Sequence, residues 1–237
     1  MYILGISCFY HDSSASLLKD GKIIAAVQEE RFTRKKHDTS FPLNAINYCL
    51  RSANITINEI DYIGFYEKPF LKFERILYQH LETFPKSYKI FLSNLPTWFN
   101  EKLRVMKFIK KNLKYKKDIF FVDHHEAHAA GSFFPSPFEE ATIVSIDGVG
   151  EWVTTSYGVG KGNNIKLLKK IEFPHSLGLL YSTITAYLGF SVNNSEYKVM
   201  GLSAYGDMNK NTNPYYKKLK ETIEKIDNSG SSENCPL

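Results

Sequence analysis

Ala141-Thr142-Ile143-Val144-Ser145-Ile146-Asp147-Gly148-Val149-Gly150-Glu151 passes from a β-branched run into an acidic loop with two glycines. The run reads as a strand. Asp147 then stands at a strand end, where side chains emerge at a sheet edge and sites are usually built. Gly148 and Gly150 permit a backbone approach to an anion, so they and Glu151 are candidates for nucleotide or phosphate binding. A turn and Glu151 as a solvated strand end are the simpler readings.

Working outward, Val122-Asp123-His124-His125-Glu126-Ala127-His128-Ala129-Ala130 lies just before this run. His124 and His128 are four residues apart, which on a helix puts both imidazoles on one face. With Asp147 they form a plausible divalent-metal set. His125 points elsewhere, and Asp123 reads as a helix cap.

After the loop come a strand from Trp152 to Tyr157, a turn at 160–164, a strand from Ile165 to Phe173, and a helix capped by Ser176 and running to about Leu188. The N-terminus has the same order. Residues 2–8 form a strand and Phe9 to Ser14 a polar loop. Ala15 to Leu18 is a strand, Asp20-Gly21 a hairpin turn, and Lys22 to Glu30 a strand. A helix over 43–53 follows, with Leu43, Ile46, Cys49 and Leu50 at helical spacing. Two such openings, each with a polar loop after its first strand, predict an α/β chain of ribonuclease-H-like lobes, the actin-like ATPase architecture. The first lobe, residues 1–140, adds strands at 61–65 and 119–122 and a helical insertion over about 70–114, broken at Pro85 and Pro96. The second, from 141 to 206, has no comparable later strands and reads as truncated. Residues 207–237 are polar and read as a partly disordered tail.

Composition narrows the function. A hydrophobic fraction of 43% and a charged fraction of 23% are those of an ordinary soluble protein. No apolar run approaches a membrane span, and the N-terminus lacks the basic start of a signal peptide. Three cysteines without metal or redox spacing fit a cytoplasmic location. The net charge of +5 gathers at Lys107 to Lys117 without a nucleic-acid motif, which favours small anionic substrates.

Six segments together resemble the NodU/CmcH-type O-carbamoyltransferases. They are Phe9-Tyr10-His11-Asp12-Ser13, the run from Gln28 to Asp38, Asp123 to Ala130, Asp147 to Trp152, Pro174 to Tyr181, and Glu196 to Leu202. The resemblance implies that a carbamoyl group passes from carbamoyl phosphate, through a carbamoyl-adenylate formed with ATP, to a hydroxyl of a sugar-like or natural-product acceptor. It implies an iron-type divalent ion, Fe2+, on His124, His128 and Asp147, with a further aspartate ligand beyond Leu237. It places His11 in the transfer site as a proton acceptor, with Asp12 holding its tautomer or contacting the acceptor. A structural loop histidine is the rival reading. The resemblance also singles out Lys36, within a basic run that otherwise reads as solvated, as a cation for developing negative charge, and it puts Lys198 near the nucleotide or paired with Glu196. His175 reads as a capping or packing residue. Two alternatives stay open: threonylcarbamoyl transfer to tRNA, and a non-catalytic metal- and nucleotide-binding fragment needing a C-terminal partner chain or missing domain.

Overall fold

The computed structural model describes residues 1–207, 209 and 211–230. The chain divides into two compact units, Met1–Ala127 and His128–Leu237.

The first unit is a five-stranded sheet in the order β3-β2-β1-β4-β5. Its strands are β1 (Tyr2–Ser7), β2 (Ser14–Lys19), β3 (Lys22–Gln28), β4 (Tyr62–Phe65) and β5 (Ile119–Phe121). The β1–β2 and β2–β3 pairs are antiparallel, whereas β1–β4 and β4–β5 are parallel. An antiparallel meander can close with tight turns, but parallel neighbours need long crossovers. The first crossover is α2 (Leu43–Ser52). The second contains α3 (Pro69–Glu82), α4 (Tyr88–Asn100) and α5 (Val105–Leu113). This strand order is the ribonuclease-H-like lobe expected from the sequence.

Period-2 burial directs Leu4 and Ile6 of β1, Cys8 just after it, Leu17 of β2, and Ile63 and Phe65 of β4 into one core. The helical period adds Ala45, Ile46 and Cys49 from α2 and Val105, Ile109 and Leu113 from α5. Pro42 directly precedes α2. The helix start is satisfied from a distance. The buried carboxylate of Glu29 accepts hydrogen bonds from the backbone of Ala45 (2.8 Å) and from the backbone and side chain of Asn44 (3.2 and 2.6 Å). An anion there also suits the helix dipole.

One detail of the insertion differs from expectation. Pro85 does interrupt the helices, but Pro96 lies inside α4. A proline removes one donor, yet the chain continues as helix to Asn100 because Trp98 is buried and holds that turn against Phe73. Earlier in the chain, α1 (Glu30–Thr33) ends the strand predicted to reach Glu30, so β3 stops at Gln28.

The second unit holds a three-stranded antiparallel sheet, β6 (Glu140–Ile146), β7 (Val153–Lys161) and β8 (Asn164–Glu172), in that order. The turn between β7 and β8 is shorter than predicted, only Gly162 and Asn163, and Gly162 takes a left-handed conformation with φ 55°. The helices α7 (Leu177–Tyr187) and α8 (Glu196–Leu202) follow, and no further strand is found among the described residues. Part of the polar stretch from 207 onward is helical. Tyr216–Gly230 forms α9, with Lys217–Glu221 and Lys220–Glu224 at helical i,i+4 spacing, because a polar stretch can be helical when its charges alternate along one face. Residues 231–237 lie outside the described residues.

Candidate functional site

The helix α6 (His124–Phe133) starts directly after β5 and carries both histidines. The division between the two compact units falls within this helix. From His128 onward it packs on the second sheet, where Ala129 and Phe133 meet Ile143 of β6. Gly160 of β7 makes that contact possible, since a Cβ there would come within 2.7 Å of the Phe133 ring. One helix face and the end of β6 thereby come together. Donor atoms of His124, His128 and Asp147 all lie within 4.8 Å of one another. Two imidazoles and a carboxylate are a donor set suited to Fe(II)-type ions.

His124 is surrounded on the first unit's side. Its ring stands edge-on to Tyr66 at 5.7 Å, and its Nδ1 lies 4.0 Å from Glu67 Oε2. Glu67 in turn bonds Lys72 Nζ at 2.7 Å, and both side chains of that pair are about nine-tenths buried. Lys72 also sits over the Tyr10 ring at 4.4 Å. Nothing in the spacing of Glu67 and Lys72 marked this buried pair in the sequence. Burial and the nearby Glu67 charge push the Tyr66 phenol far above its usual range. Asp123 belongs at the helix start, but its carboxylate is held by Lys68 Nζ at 2.7 Å. His125 is buried, as befits a packing position.

The Asp147 loop is clamped from behind by α7. Ser176 caps this helix by accepting from the Leu179 amide at 3.0 Å, and its hydroxyl donates to the Gly148 carbonyl at 2.5 Å. The carbonyl of His175 accepts from Thr154 Oγ1, so that residue contributes through its backbone. A Cβ on Gly178 would lie 2.3 Å from the Asp147 carbonyl oxygen, so only glycine lets α7 approach this closely. Sequence reasoning found the Ser176 cap and missed Gly178. Gly178→Ala is expected to displace the loop, costing roughly 1–3 kcal/mol as overpacking does. Urea unfolding and metal titration of the variant would measure both effects.

The loop amides hold the loop itself. The Gly148 amide donates to Asp147 Oδ1 at 2.7 Å, and the Gly150 amide to the Val153 carbonyl at 3.2 Å. Those amides fix the carboxylate and close the turn. Glu151 is buried, only 7% exposed, which removes the reading of a solvated strand end. Lys198 is exposed on α8, about 6.0 Å from the rings of Phe190 and Tyr197. Its neighbour Glu196 instead receives the Asn193 amide at 2.8 Å.

In the first loop, Asp12 bridges two imidazoles. His11 Nδ1 lies 2.8 Å from Asp12 Oδ2, and His37 Nδ1 lies 2.9 Å from Asp12 Oδ1. Burial raises the Asp12 carboxyl, but the hydrogen bonds from His37 and His11 outweigh it and leave its pKa below the usual range. Lys36 is exposed beside His37. The basic run is anchored by buried Asp38, which accepts from Thr33 Oγ1 at 2.7 Å and from the Ser40 amide at 2.9 Å. Hydrogen bonds from Ser40 and Thr33 lower its pKa from 3.8 to about 2. A depressed folded pKa contributes stability that is present above the unfolded value and lost as pH falls through the folded one. Unfolding free energy is therefore expected to drop between about pH 4 and pH 2, and Asp38→Asn should flatten that part of the pH profile.

A 3-2-1-4-5 lobe, followed by a second meander whose first strand ends at a carboxylate beside two helical histidines, defines an actin-like, ribonuclease-H-like chain with a metal-type donor set. The chain belongs to the carbamoyltransferase N-terminus family, which matches residues 2–230. It is 53% identical over 214 residues to an uncharacterized protein of Synechocystis sp., covering 87% of this chain and 35% of that protein. It is 35% identical over 228 residues to the nodulation protein NolNO of Sinorhizobium fredii, covering 94% of this chain and 31% of that protein. The chain thus spans about a third of the length of these relatives. Among solved structures, YeaZ from Pseudomonas aeruginosa matches with a TM-score of 0.41 at 14% identity, over 73% of this chain and 67% of that one. No helix among the described residues is long and apolar enough to cross a membrane.

Proposed function

We propose that this chain is the metal- and nucleotide-binding N-terminal part of an O-carbamoyltransferase. The observation that supports this most directly is the convergence of His124, His128 and Asp147 in a chain of this family. The substrates are carbamoyl phosphate, ATP and a hydroxylated small molecule. His11 takes the proton from the acceptor hydroxyl as the oxygen attacks the carbamoyl carbon of a carbamoyl-adenylate and AMP leaves. Imidazole is suited to this near neutral pH. Asp12 holds the His11 ring so that Nδ1 carries its hydrogen and Nε2 faces the acceptor. Lys36 supplies positive charge to the leaving phosphate. Glu151 and Lys198 contact the nucleotide, and Gly148 and Gly150 let its phosphates approach the loop. His124, His128 and Asp147 would hold an Fe2+-type ion, which when bound polarises carbamoyl or phosphate oxygens.

The test is transfer of labelled carbamoyl phosphate to a panel of polyhydroxylated acceptors, with ATP and Fe2+. The chain is assayed alone and with the remaining segment found in its longer relatives. Carbamate ester on an acceptor hydroxyl, abolished by His11→Ala, is the expected result. Product absent in both formats, or product bound to tRNA instead, would overturn it.

A further inference from the structure

Among the polar clusters of the first unit, the arrangement at Asp12 has a partner that the proposed transfer mechanism leaves unused. His37 comes 25 residues after Asp12 in sequence, yet its ring meets the carboxylate oxygen that His11 does not. Both Asp12 and His37 adopt left-handed backbone conformations, with φ 50° and 53°, which aims their side chains toward each other. Such conformations are uncommon outside glycine and persist where surrounding structure holds them. The His37 backbone is fixed as well, because its amide donates to Glu30 Oε2 at 3.1 Å.

We propose that His37 is a positioning residue for the transfer step, acting through Asp12 to fix the tautomer and orientation of His11. The inference rests on the reading of His11 as the base. An ionised carboxylate only accepts hydrogen bonds. Each imidazole therefore places its hydrogen on Nδ1, and the His11 lone pair sits on Nε2, across the ring from Asp12. A single hydrogen bond from His11 would leave the carboxylate free to rotate about its χ2 torsion. The second bond, from His37, removes that rotation and reserves Oδ2 for His11. The His11 side chain is about half exposed, so its Nε2 edge can meet an acceptor, whereas His37 is the more enclosed of the two rings, at 32%. The geometry divides the roles, with His11 touching substrate and His37 holding the carboxylate that orients it.

Nitrogen-15 spectra of selectively labelled histidine rings test this, and the chain has only seven histidines. In the unmodified protein His11 is expected as the Nδ1–H tautomer. In His37→Leu it should shift toward the ordinary Nε2–H form, while His37→Asn, which keeps a donor near the Nδ1 position, should retain most of the original signature. In the transfer assay His37→Leu should lower kcat roughly tenfold, part of the 10²–10⁴ typical of general-base catalysis, with little change in acceptor KM. An unchanged His11 tautomer in folded His37→Leu, or an equal shift in His37→Asn, would overturn the proposal. The tautomer measurement needs no acceptor, so it decides the role of His37 even if carbamoyl transfer is never observed.

Discussion

Replacing His128 with alanine is expected to weaken Fe2+ binding by more than about 100-fold, beyond the 10–100-fold usually lost when an outer-shell partner is removed. His128 is the informative donor because it is exposed, whereas His124 is packed against Tyr66 and Glu67. Alanine is the best helix former, so α6 should keep its shape and any loss belongs to the ligand. Asp147→Asn should have a similar effect, since it removes the only charge among the three donors. Anaerobic titration against a chromophoric chelator would measure both. Affinity within a few-fold of the original in His128→Ala would mean that these three residues do not form a metal site.

Lys72→Met is expected to destabilise the first unit by roughly 3–5 kcal/mol, the usual consequence of leaving one member of a buried ion pair alone. Glu67 and Lys72 meet at 2.7 Å with both side chains about nine-tenths buried, so solvent cannot replace the lost partner. The double substitution Glu67→Leu with Lys72→Met removes both charges and should recover most of the loss, because a buried pair often contributes little beyond an apolar substitute. Urea unfolding of the two single variants and the double variant would complete the cycle. Additive losses would show that the two side chains are not coupled. The pair also lies beside His124, so Glu67→Leu is expected to loosen metal binding even where folding is restored.

Much of this arrangement is legible in the sequence, for local reasons. Alternating burial in Tyr2–Ser7 and Ser14–Lys19, the Asp20-Gly21 turn and the helical spacing of Leu43, Ile46 and Cys49 are short-range signals, and each element formed within a residue or two of its expected place. The i,i+4 spacing of His124 and His128 fixes their common face once α6 exists. Other features depend on partners distant in the chain. Glu29 caps α2 from 15 residues away, and Lys72 is buried because it meets Glu67, although lysine is normally exposed. Pro96 reads as a helix breaker, yet the packing of Trp98 carries α4 through it. The run Arg31 to Asp38 reads as a solvated basic loop, and no periodicity within it distinguishes His37 from its neighbours.

Periodicity, turn chemistry and motif spacing are local properties of the chain, and they were enough for the strands, for the helices at 43–53, at the histidine motif and after Ser176, and for the family. Which donors meet depends on tertiary packing. Asp147 reaches the histidines because Phe133 packs against Gly160, and because Gly178 and Ser176 hold the loop from behind. Asp12 acquires a second imidazole because the left-handed turn at His37 swings that ring back to the first loop. These are matters of close approach and backbone direction over long chain separations, which no spacing rule encodes.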